Sequence, residues 1–126
     1  MLEKKPWGYI KSREIGENMY IDKISIQSGG FSSTHKHIEN INIFFVLSGV
    51  IYIKSEIGLA ILKAGQSYTV QKGIFHRFFC AEDAEVIEVY FGKKDIEVEI
   101  ERLSGKGNGL HRNGLYSDFI RVNKFK

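Results

Sequence analysis

The sequence predicts an all-β domain built as a sandwich or barrel, and three observations carry that prediction. Apolar and polar residues alternate with a period of two in short runs. Those runs are rich in β-branched and aromatic residues, and glycine-bearing turns separate them at short intervals. At 126 residues the chain is long enough to bury a single core.

The elements follow in order. Pro6, in "KPWGYI", marks the start of the first strand. "MYIDKISIQ" (19–27) sets Tyr20, Asp22 and the other even positions against Ile21 and Lys23. "INIFFVLSG" (41–49), "VIYIK" (50–54), "LAILK" (59–63), "SYTVQ" (67–71), "FHRFFC" (75–80) and "VIEVYF" (86–91) read as further strands. Ser48-Gly49, Gly58, Ala64-Gly65, Gly73 and "AEDAE" (81–85) supply the turns between them. "KKDIEVEIERLSG" (93–105) places Ile96, Ile100 and Leu103 at helical spacing, while Val98 and Ile100 also alternate with glutamates, so helix and strand both stand. Residues 1–104 form the expected domain, and 105–126 a glycine-rich loop and tail.

Composition excludes several classes of function. No apolar run approaches the roughly 20 residues that span a bilayer, and "MLEKKPWGYI" lacks the apolar region of a signal peptide. Cys80 is alone, so no internal disulfide can form and a cytoplasmic location is expected. Residues 1–92 balance ten Lys or Arg against ten Asp or Glu, and residues 93–126 supply the whole net charge of +3. With no basic run interleaved with aromatics, nucleic acid is not an expected partner.

Three of the four histidines fall into one pattern. His35 and His37 lie two residues apart, so on a strand both imidazoles face one side. His76 follows the turn "QKGIFH", where a returning strand can bring it opposite the pair. Alternation then carries Asn42, Phe44 and Val46, with His76, Phe78 and Cys80, toward a shared interior. Three convergent imidazoles make a metal pocket, although an isolated H-x-H is commonly two surface histidines.

"GGFSSTHKHIENINIFFVLSG" resembles the first cupin motif, G-x5-H-x-H-x3-4-E-x6-G, on Gly29, His35, His37, Asn42 and Gly49. "GQSYTVQKGIFHRFFC" resembles the second, G-x5-P-x-G-x2-H-x3-N, on Gly65, Gly73 and His76. Gln71 stands for its proline and Cys80 for its asparagine. The resemblance implies a cupin-type jelly-roll β-barrel. A narrower resemblance, over about residues 5–92, adds "KPWGYI" and "VIEVYFG" and is similar to the cupin part of type II mannose-6-phosphate isomerases. It implies a sugar or sugar phosphate as ligand.

The cupin resemblance makes His35, His37 and His76 ligands of a divalent metal ion: zinc, nickel, manganese or iron. Asn42 occupies the position of the family's glutamate, and three readings follow. Asn42 coordinates weakly or bonds a metal-bound water; the site is degenerate and binds sugar without turnover; or Glu39 replaces the missing carboxylate from the loop before the strand. Glu88, mid-strand in "VIEVYF", is the candidate catalytic base if its face is buried, and Tyr90 shares that face. Lys72, in the turn before His76, is a candidate phosphate contact. Lys36 and Arg77 alternate away from the pocket, Cys80 and Trp7 read as core, and His111 and Arg112 as solvated.

Three functions follow: a metal-dependent aldose–ketose isomerase, a non-catalytic sugar-binding module, or a three-histidine iron dioxygenase. The outward positions Ile43, Phe45 and Leu47 are expected to pair two copies into a homodimer, unless a second sheet covers them.

Overall fold

The computed structural model describes residues 3–92, 100–102 and 109–110, and all of the elements below lie among them. The chain forms strands and no helix among those residues. β1 (Glu3–Lys5) and β2 (Gly8–Ile15) make a hairpin around Pro6 and Trp7, so the proline sits at a turn between two strands. β3 (Met19–Ile26), β6 (Ile41–Ser48), β9 (Ser67–Val70) and β11 (Ala84–Phe91) join them in one antiparallel sheet, ordered β1-β2-β3-β11-β6-β9.

The second sheet is built around β10 (His76–Phe79), which pairs on one side with β7 (Val50–Ser55) and through it with β8 (Gly58–Lys63). On its other side lie two short strands in line, β4 (Gly30–Phe31) and β5 (His35–His37). β12 (Ile100–Arg102) and β13 (Gly109–Leu110) pair outside β5 and β4 respectively. Ile100–Arg102 is therefore extended, which settles those positions against the helical spacing of 93–105. The rest of that segment, the 1–104 boundary and the tail with His111 and Arg112 lie outside the described residues.

The two sheets face each other across an apolar core. Even positions of β3, β6 and β11 point inward, as their alternation requires, so Ile24, Ile26, Phe44, Val46 and Val86 are buried. Ile51, Ile53, Phe78 and Cys80 meet them from the second sheet, and Trp7 packs edge-on against Phe78 with ring centroids 5.2 Å apart. Burial pushes the Cys80 thiol up to about 12, which makes it a core residue and not a nucleophile. On the outer face of the first sheet, Ile43 is half-buried, Phe45 and Leu47 are 43% and 46% exposed, and no described strand covers them. No helix of the described residues is long and apolar enough to cross a membrane.

Candidate metal centre

The site begins with two backbone devices that place histidines. Between β4 and β5 the buried Ser32 fills a gap in the ladder: its N–H donates to the Phe78 carbonyl at 3.1 Å, and its hydroxyl accepts from the Phe78 N–H at 3.0 Å. This holds the interrupted strand against β10, so that His35 and His76 become direct cross-strand partners. The second device is the turn before β10. Gly73, at φ 76°, donates its N–H to the His37 carbonyl at 2.8 Å, which ties the approach to His76 to the strand that carries the pair.

The three imidazoles converge. Their centroids are 5.1 Å (His35 to His37), 4.7 Å (His35 to His76) and 5.5 Å (His37 to His76) apart. One nitrogen from each lies within 4.8 Å of the others. His37 and His76 are buried, and His35 is half-buried. Lys36 and Arg77 alternate outward, over the rings of Phe75 and Phe31 respectively.

Second contacts set the tautomers. His35 Nδ1 lies 2.8 Å from the Ser33 carbonyl, and His76 Nδ1 lies 2.9 Å from the Ile74 carbonyl. A carbonyl only accepts, so each Nδ1 carries the proton and Nε2 carries the lone pair in the neutral ring. That is the state in which an imidazole binds a metal.

The facing wall comes from β6 and β11. Asn42, Glu88 and Tyr90 share the inward face, and Tyr90 is the direct cross-strand partner of Asn42. Asn42 Oδ1 lies 3.2 Å from His76 Nε2, and its Nδ2 donates to Glu88 Oε2 at 3.3 Å. Tyr90 donates its hydroxyl to the same Glu88 oxygen at 2.7 Å, and its ring stands 5.0 Å from that of His37. Burial pushes the Glu88 carboxyl up to about 7, against the opposing bonds from Tyr90 and Asn42. Burial and the neighbouring carboxylate hold the Tyr90 hydroxyl well above its ordinary range.

This arrangement tests whether the residues fit a metal ion. With Nδ1 protonated, the lone pair of His76 Nε2 faces the amide oxygen of Asn42, and two acceptors do not bond. A cation between them, either a proton on Nε2 or a metal ion, would satisfy both acceptors. Two donors 3.2 Å apart, each about 2.1 Å from a common ion, subtend about 100°, between octahedral and tetrahedral angles. The imidazoles need a modest inward rotation, because ligands of one ion lie at most about 4.2 Å apart. The residues fit.

Sequence reasoning reached six of the groups at this wall and in the cluster, and missed two. Arg13 bonds Asp22 through Nε at 2.8 Å and Nη2 at 3.0 Å, beside Glu88 in the row Arg13–Asp22–Glu88–Phe44 across the sheet. Arg13 faces inward because β2 bulges between Ile10 and Ser12, which flips the alternation. The readable signal was Asp22, since its even position put a carboxylate among inward isoleucines and demanded a partner. Of the remaining candidates, Lys72 stands exposed in the turn beside Gly73, and Glu39 is exposed in the bend before β6.

A family model described as the cupin domain matches residues 23–90. The alginate biosynthesis protein AlgA of Pseudomonas syringae pv. tomato is 28% identical over 112 residues, covering 84% of this chain and 23% of its own length. The chain thus spans about a quarter of that curated relative. Among solved structures, KdgF from a Halomonas species aligns with a TM-score of 0.60 at 20% identity, over 66% of this chain and 79% of its own. An uncharacterized conserved protein with a double-stranded β-helix domain, from Klebsiella pneumoniae subsp. pneumoniae MGH 78578, aligns at 0.68 and 13% identity, over 81% and 84%. These two likenesses concern the fold.

Proposed function

Because this chain belongs to the cupin family and its inward histidines converge inside that fold, we propose that it holds a divalent metal ion and acts on a sugar or sugar phosphate as an aldose–ketose isomerase. The observation that carries the reading is the cluster of His35, His37 and His76, with one nitrogen of each within 4.8 Å of the others. Those three side chains would hold the ion with the Asn42 amide oxygen as fourth donor, a set that suits zinc, nickel, manganese or iron. Bound there, the ion supplies Lewis acidity toward a carbonyl oxygen.

The remaining work falls to the chain's own groups. Glu88, whose carboxyl burial raises to about 7, would take a proton from one carbon and return it to the next. Tyr90 and Asn42 hold its Oε2 and so fix where that proton is carried. Tyr90, whose ring stands 5.0 Å from that of His37, would contact a ligand bound there. Lys72 offers a positive charge for a phosphate from the turn tied to His37. The likeness to an alginate biosynthesis protein supports a sugar ligand. The lone Cys80 supports a cytoplasmic location, and the exposed Phe45 and Leu47 support a homodimer through the outer face of the first sheet.

The test is elemental analysis of the untagged protein purified without chelator, beside His76→Ala. Near-stoichiometric metal that disappears in the variant is the expected result. Absence of metal after reconstitution of the folded protein would overturn the metal reading. Metal and sugar binding without interconversion of aldose and ketose phosphates would leave a binding module in place of the isomerase.

A further inference from the structure

The inner face of the first sheet changes character from row to row. Its deepest row, Ile10–Ile24–Val86–Val46, is apolar and buried throughout. The next is Arg13–Asp22–Glu88–Phe44, and the last, on the side of His76, is Ile15–Tyr20–Tyr90–Asn42. That last row is closed at β6, where Asn42 is 0% exposed, and open at β2, where the inward Ile15 is 60% exposed. The inner face thus meets solvent beside Arg13. Of the cations on β2, β3, β6 and β11, Arg13 alone turns inward: Lys11 reaches Glu85 on the outer face, and Lys23 is exposed between the buried Asp22 and Ile24. Asp22 accepts from Nε and Nη2, and Cζ lies 5.4 Å from the Tyr20 ring centroid, so the guanidinium is held from two sides. These bonds use one edge and two of the five N–H groups. The other three, which include the fork of Nη1 and Nη2, have no partner among the described residues, and the side chain is 27% exposed.

We propose that Arg13 binds the acidic group of the ligand, a phosphate or a carboxylate, and that the ligand is therefore an acidic sugar; this rests on the sugar reading above. Either group offers two oxygens to the open fork, the geometry in which a guanidinium recognises an anion best. The inward pair is poorly explained by stability alone, because an apolar pair of similar volume spares the desolvation of two charges. What the pair adds is a donor aimed by Asp22 and Tyr20 at the open end of the face. Lys72, exposed in the turn before β10, has no such support in its turn position. The spacing also says where on the ligand the acid lies. β2 stands three interstrand spacings from β6, about 14 Å along the sheet. A sugar with its carbonyl near Asn42 meets Arg13 through a group several bonds away, as at the terminal carbon of a hexose.

The experiment is calorimetric titration of the protein as purified with a hexose 6-phosphate, a hexuronate and the neutral hexose, beside Arg13→Lys, which keeps the charge and loses the fork. At least one acidic hexose is expected to bind about tenfold or more tighter than the neutral one, and to lose about that factor in the variant. Which of the two does so tells a phosphate ligand from a carboxylate. Equal affinity for acidic and neutral hexoses, or acidic binding unchanged in the folded variant, overturns this proposal and leaves the sugar reading standing. No binding of any hexose removes the sugar reading and this proposal with it. Should the variant fail to fold, the Arg13 Nε resonance of the wild type decides: it is expected to shift with the acidic hexose and not with the neutral one. A resonance unmoved at saturation overturns the proposal.

Discussion

Replacing Glu88 by glutamine gives the sharpest test of the wall opposite the histidines. The carboxyl is fully buried, and burial raises it from 4.5 to about 7. Below about pH 4.5 it is protonated in both folded and unfolded chains and costs nothing. Between 4.5 and 7 only the folded chain keeps the proton, so stability is lost as pH rises through that window. The full loss is the difference of about 2.5 pKa units at roughly 1.4 kcal/mol each, on the order of 3 kcal/mol above pH 8. Glutamine carries no such proton. Urea unfolding of chelator-treated protein, followed through the buried Trp7 at a series of pH values from 4.5 to 8.5, isolates the effect. Other titrating groups, the histidines included, are largely common to both proteins and drop out of the difference. The Glu88→Gln chain is expected to gain on the wild type by about 3 kcal/mol across the range, whatever constant offset the amide introduces. Parallel profiles would refute the inference that a buried, proton-retaining carboxyl sits beside Asn42.

Three further outcomes are expected. Asn42→Asp should tighten metal binding at least about tenfold, because it adds a negative charge to the donor set; competition with a chromophoric chelator measures this, and unchanged affinity would remove Asn42 from the ion. Gly8→Ala should lower the melting temperature by more than about 10 °C, since at φ 154° the new Cβ runs into the Ser25 carbonyl oxygen, which is backbone and cannot swing aside. Phe45→Glu should turn a dimer into a monomer in sedimentation velocity while leaving the far-ultraviolet spectrum unchanged, because the side chain is exposed on the sheet's outer face; a wild-type monomer would dispose of the homodimer.

The strands were legible because alternation is a direct record of which face is buried. The period-two pattern of β3, β6 and β11 placed Asn42, Glu88 and Tyr90 inward along with the core residues. Whether Glu88 was buried or sat on an exposed edge was not readable, since β11's position between β3 and β6 is a matter of long-range pairing. The same limit hid Arg13: a single inserted residue in β2 reverses the alternation, and nothing in "GYIKSREI" announces it. The β1–β2 hairpin escaped for a related reason, because "LEKK" has no apolar alternation and is held by its partner strand alone. In the candidate site the three histidines were visible by spacing. The hydrogen bond from Asn42 to Glu88 was not, since it joins residues 46 positions apart.

The central place of β11 also sets an order of events during synthesis. β3 ends at Ile26, and β11, which must slot between β3 and β6, begins only at Ala84. At roughly 5–20 residues per second the ribosome leaves both of its flanking strands waiting for seconds with unpaired edges. All three histidines and Asn42 emerge in that interval, ahead of Glu88 and Tyr90. A metal ion could meet the nascent chain before the wall behind Asn42 exists, so the lateness of one strand decides whether capture precedes or follows closure of the barrel.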